Sequence, residues 1–153
     1  MIGTRLRHLI LAALALGAFA APAGAEELMM ARVDRAFPEA ITQLQAVIRA
    51  HGYTVSRVQR VDVGLTASGY ATAEYRVVFY GKPDEIHALS RSHPELIPYL
   101  PLMIVVMAEN EETVLVSLNP TKLSQYFPDA PLGRQFARWE QDLRSVFRAV
   151  AEH

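Results

Sequence analysis

Leu102-Met103-Ile104-Val105-Val106-Met107-Ala108 is apolar at every position. A half-solvated strand alternates apolar with polar, so an unbroken run of this length reads as a central strand covered on both faces. Glu109-Asn110-Glu111 follows with turn chemistry, and Thr113 to Leu118 returns as a second strand, which makes the pair a hairpin.

On the N-terminal side of this hairpin, Pro94, Pro98 and Pro101 predict a stiff, extended loop, because each ring fixes φ and disfavours helix in the residue before it. Pro83, Asp84 and Glu85 open a short helix that closes near Arg91 to His93, with acids at its start and bases at its end as the helix dipole favours. Thr72 to Tyr80 alternates, with Ala73, Tyr75, Val77 and Phe79 on one face and Thr72, Glu74 and Arg76 on the other. Tyr53 to Val63 is a Val-rich strand joined to it around Ser68-Gly69. Pro38 to His51 predicts a helix, with Ile41, Leu44 and Ile48 at helical spacing and Gly52 as its stop. Leu28 to Val33 reads as an edge strand.

Past the hairpin, Asn119-Pro120 ends the sheet and a loop containing Pro128 and Pro131 leads to the last element. Leu132, Phe136, Trp139, Leu143, Val146, Phe147 and Val150 fall within a band about 100° wide, the signature of a long amphipathic helix laid on a sheet. The order β-α-β-β-α-β-β-α predicts an α+β domain: a single antiparallel-rich sheet with helices packed on one face. A strand apolar on both sides then needs cover on its second face. Loops, a second copy of the chain, or an apolar ligand could supply it.

Residues 1 to 25 have the layout of a cleavable signal peptide: Arg5 and Arg7, an apolar stretch from Leu9 to Phe19, then Pro22 and Ala23-Gly24-Ala25. The stretch is about half the ~20 apolar residues that cross a bilayer, so no transmembrane segment is expected after cleavage near Ala25. The expected product is one domain, residues 26 to 153, in the periplasm or outside the cell. The chain has no cysteine, which excludes thiol chemistry, Cys-ligated zinc, a lipoprotein anchor and disulfides. Without Arg5 and Arg7, 13 of the 15 basic residues remain against 16 acidic ones, a net charge of −3 that gives no electrostatic case for nucleic acid.

Four segments, taken in order, resemble the domain-of-unknown-function family 302 over about residues 28 to 123: Gly52-Tyr53-Thr54-Val55; Tyr75 to Pro83; Leu100-Pro101-Leu102-Met103-Ile104-Val105-Val106; and Val114 to Pro120. The resemblance implies a small α+β fold similar to half of the TATA-binding-protein architecture, often dimeric. It implies no known activity and carries no catalytic residue across. Family members more often have Asn where Lys82 stands, and Pro98-Tyr99 is a second departure.

His87 and His93 lie six apart on the short helix, some 120° from facing one another, and cannot ligate one ion from a regular helix; no metal or cofactor is expected. His51, at a helix end, and His153, the last residue, read as solvated imidazoles. No serine stands on a Gly-flanked elbow, Ser90 and Ser92 read as helix-surface polarity, and no catalytic residue is assigned. The leading expectation is a non-enzymatic homodimer that binds a small molecule or a protein partner. Tyr80, Lys82, His87, Arg91 and His93 are the candidate lining residues, between the Gly81-to-Pro83 turn, the short helix and the Pro94-to-Pro101 loop. Two alternatives stand beside it. One is an enzyme with His87 or His93 as general base. The other is association with an anionic membrane surface through Arg134, Arg138, Arg144 and Arg148, which share about 120° of the last helix and are flanked by Glu140 and Asp142.

Overall fold

The computed structural model describes residues 26–152; the leader expected at residues 1 to 25 and His153 lie outside them. Five strands form one sheet in the order β1-β5-β4-β3-β2, every neighbouring pair antiparallel. They are β1 (Leu28–Val33), β2 (Thr54–Arg60), β3 (Tyr75–Gly81), β4 (Leu102–Glu109) and β5 (Glu112–Leu118). The apolar run Leu102 to Ala108 lies in β4, and β4 is the central strand. Its turn to β5 is tight, with Glu109 opposite Glu112 and Asn110 at φ 56, the left-handed conformation that Asn tolerates better than most residues.

The helices are α1 (Phe37–Ala50), α2 (Val61–Ala67), α3 (Pro83–Ser92) and α4 (Ala130–Glu152). Phe37, Ala40, Leu44 and Ile48 of α1 and Leu143, Val146, Phe147 and Val150 of α4 are buried against Val78, Ile104, Val106 and Leu115 of the sheet. The C-terminal part of α4 thus closes the main core, while Leu132, Phe136 and Trp139 of its first turns form a second cluster with Leu96 and Leu123. All seven residues of the apolar band are buried.

Several local expectations are corrected. The strand expected from Tyr53 to Val63 stops at Arg60, and Val61–Ala67 is helical although three of its first residues are Val61, Val63 and Gly64. Arg76 on β3 forms an ion pair with Asp62 of α2 and stacks its guanidinium 5.3 Å from the Phe37 ring, which fixes α2 by tertiary contacts that local propensity does not register. The strand expected from Thr72 begins at Tyr75. Pro94–Tyr99, expected to be extended, is a 3₁₀ helix, as is Pro120–Gln125. A proline φ near −65° suits 3₁₀ geometry as well as an extended loop. His51 is not free: its Nδ1 lies 2.9 Å from the Val47 carbonyl.

Candidate functional site

Strand alternation sorts the sheet into two faces. Val78 and Tyr80 of β3, Ile104 and Val106 of β4 and Leu115 of β5 face the helices. The other parity faces away from them, in cross-strand rows set by the register. Met30 pairs with Val116, Val116 with Val105, Val105 with Val77, and Val77 with Gln59. A second row runs Arg32, Val114, Met107, Tyr75. A third holds Met103, Phe79 and Arg57, and the pair Leu28 and Leu118 continues it across β5 and β1.

This face is apolar through its centre and no helix covers it; Val77 and Val114 are buried among their neighbours, while the longer side chains around them stand exposed. Leu28 is 51% exposed, Met30 59%, Met103 49%, Met107 37% and Leu118 42%. The double cover expected for β4 is therefore single within one chain. Charge is confined to the margins: Arg57 on β2, and on the far side Arg32, which pairs with Glu109 and Glu112. At one corner, Phe79, Tyr99, Leu100, Met103 and Leu118 border a small apolar cavity of ≈140 Å³.

The residues singled out from sequence fall into separate places. His87 lies on the wall of a cleft of ≈490 Å³ with Thr54, Ser56, Ile86, Ser90 and Pro101, beside the Gly81 turn. Gly81 belongs there for steric reasons, since a Cβ would come 2.2 Å from Ile86 Cδ1. Tyr80 is buried, with its ring edge-on to Tyr53 at 5.4 Å, and it also borders the small cavity. Lys82 sets its Nζ 4.7 Å from the centre of the Tyr53 ring. Arg91 is exposed at the end of α3. His93 turns its Nδ1 to Glu95 Oε1 at 3.3 Å. The five do not line one cleft.

Sequence reasoning missed a polar cluster that joins α4 to the start of α3. Trp139 Nε1 donates to Glu85 Oε1 at 2.7 Å, Arg138 donates to the same carboxylate, and Tyr53 Oη donates to Asp142 Oδ2 at 2.6 Å. Burial, then the Asp142 carboxylate, pushes the Tyr53 phenol above its ordinary range, and burial does the same to Tyr80. Glu85 reads locally as a dipole acid; its partners, 53 and 54 positions along the chain, leave no local pattern to find. The arginine stripe is divided: Arg138 is tied to Glu85 and Arg144 to Glu140. Among the described residues no cluster of three or more acids and histidines could hold a metal ion, and no helix is long and apolar enough to cross a membrane.

The fold is thus that of an α+β domain with helices on one side of an open five-stranded antiparallel sheet and a bare apolar face on the other. The chain belongs to the family described as domain of unknown function DUF302, whose model matches residues 29–150. The match runs beyond the segment identified by sequence resemblance and takes in most of α4. The crystal structure of an uncharacterized conserved DUF302 protein from Bacillus stearothermophilus is similar, with a TM-score of 0.75 and 21% identity over 82% of this chain and 99% of that one. At that identity the likeness shows the fold. No curated protein matches the chain.

Proposed function

We propose that this is an exported, non-enzymatic binding domain that works as a homodimer, with the open faces of two sheets packed against each other. The observation that carries the reading is the uncovered central face with its exposed Met30, Met103, Met107, Leu28 and Leu118. Five strands at ~4.8 Å and three rows at ~6.8 Å outline roughly 500 Å² in projection. A standard interface takes ~800 Å² of accessible surface from each partner, so a dimer on this face lies at or below that size. An apolar centre with charge only at the rim is the anatomy of such interfaces. Two copies related by a two-fold axis would stack their sheets ~10 Å apart, as in a β-sandwich. The signal-like residues 1 to 25 support export.

The test is sedimentation velocity on the purified protein, paired with a Met103→Lys variant. A dimer mass for the native chain and a monomer mass for the variant, which keeps the circular dichroism of the folded chain, are the expected results. A monomer at high micromolar concentration overturns the reading.

A second reading has its own observation in the His87 cleft, where one imidazole meets the hydroxyl-bearing Thr54, Ser56 and Ser90. With Pro83, Ile86 and Pro101 beside them, that lining suits a small, largely apolar ligand with a polar group or two, and the enzyme alternative rests on His87 as base. His87→Gln should abolish binding or turnover there and leave the dimer intact.

A further inference from the structure

We infer that Met30, Met103 and Met107 form an oxidation-sensitive set on the open sheet face, and that converting their thioethers to sulfoxides dissolves the homodimer. This rests on the dimer proposed above.

Among the described residues the methionines divide cleanly by face. Met29 points into the helix-covered core and is buried, while its neighbour Met30 points the other way and is exposed together with Met103 and Met107. Exposure of the thioether governs its oxidation, so three sulfurs are open to oxidant in the monomer and one is shielded. Met103 and Met107 are four residues apart on one strand, about 13 Å. They cannot share a soft metal ion, and each sulfur reacts alone.

The oxidant is hydrogen peroxide or a related two-electron oxidant. The sulfur lone pair attacks one peroxide oxygen, the O–O bond breaks and an S–O bond forms. Sulfur is oxidised by two electrons, and the other oxygen leaves as water after proton transfer. An apolar side chain thereby gains a strong hydrogen-bond acceptor.

The face offers that acceptor few donors, chiefly Tyr75 opposite Met107 and Thr72 near Met30 and Met107. Met103 shares its row with Phe79, and the cation in that row, Arg57, lies two strands away. Arg32, the cation nearest Met30 along β1, is held by Glu109 and Glu112. Three sulfoxides packed between sheets would have few donors to meet, and about a hundredfold or greater weakening of self-association follows. The coupling is reciprocal, because a dimer that buries the thioethers also protects them.

The experiment treats protein purified from cells expressing the full chain with hydrogen peroxide at neutral pH. Peptide mass mapping then locates added oxygen and sedimentation velocity gives subunit state. Expected results are oxygen on Met30, Met103 and Met107 before Met29, slower oxidation at higher protein concentration, and a monomer afterwards. Reduction by methionine sulfoxide reductases should restore the dimer. The triple variant M30L/M103L/M107L, nearly volume-conserving, should dimerise and keep its state under peroxide. A dimer that persists with all three residues oxidised overturns this inference and leaves the homodimer standing. Loss of the dimer under peroxide in the triple variant overturns it equally. A chain monomeric before treatment removes both.

Discussion

Trp139 Nε1 lies 2.7 Å from Glu85 Oε1, a hydrogen bond that ties the longest helix to the first turn of α3. Arg138, one residue earlier on α4, donates to the other oxygen of the same carboxylate. Glu85 therefore serves two donors from a helix that begins 45 positions later in the chain. Trp139 is the chain's one tryptophan and is buried.

Removing this acceptor leaves the indole N–H buried and unpaired. Glu85→Ala is expected to cost about 1–3 kcal/mol, read as a fall in the urea midpoint. The intrinsic fluorescence reports on Trp139 alone and should shift in the folded variant. A midpoint equal to the native one would show that the contact does not hold α4.

The Tyr53 phenol is held protonated in the folded chain by burial and by its bond to Asp142, whereas in the unfolded chain it titrates near pH 10. A folded pKa raised above the unfolded one gives stability that is complete below pH ~10 and is lost as pH rises toward the folded value. Thermal stability should fall from about pH 10 upward. Tyr53→Phe should flatten that fall while costing about 1–2 kcal/mol at neutral pH, because Asp142 loses its donor. An unchanged alkaline slope in the variant would contradict the assignment.

Asn110 carries the β4–β5 turn at φ 56. Asn110→Gly should be nearly neutral. Asn110→Val should cost about 1–2 kcal/mol, since a β-branched residue is strained in the left-handed region. Equilibrium unfolding of the two variants separates conformational strain from lost side-chain bonds, which both substitutions remove alike.

With Arg138 and Arg144 tied to carboxylates, the arginine side of α4 is a weaker anionic-surface ligand than its sequence suggests. The protein is expected to stay in the bottom fractions when centrifuged with anionic phosphatidylglycerol vesicles at low salt. Flotation that salt abolishes would restore the membrane-surface reading.

What was legible in the sequence was what depends on period and punctuation. α4 declared itself because seven apolar residues recur at 3.6-residue spacing, and β4 because no polar residue interrupts it. The β4–β5 turn was readable from Asn110 and its acidic neighbours. α2 was not, since Val61 and Val63 favour a strand and the helix rests on Asp62 meeting Arg76 across the fold. Pro94–Tyr99 reads as extended although it is a 3₁₀ helix, because a proline φ belongs to both conformations. The candidate lining residues were chosen along one stretch of chain, where α3 sends His87 to a cleft, Lys82 to the Tyr53 ring and His93 to Glu95. Side-chain direction on a ten-residue helix separates neighbours in ways that adjacency cannot report.

The ladder that joins β1 to β5 sets Leu28 against Leu118. The first strand to be made must wait for the last before it can pair, and until then it offers its whole hydrogen-bonding edge to whatever is near. Long-range pairing of this kind is slow to nucleate. A polypeptide so arranged carries an unpaired N-terminal strand through most of its synthesis, which is where a holding chaperone finds something to grip.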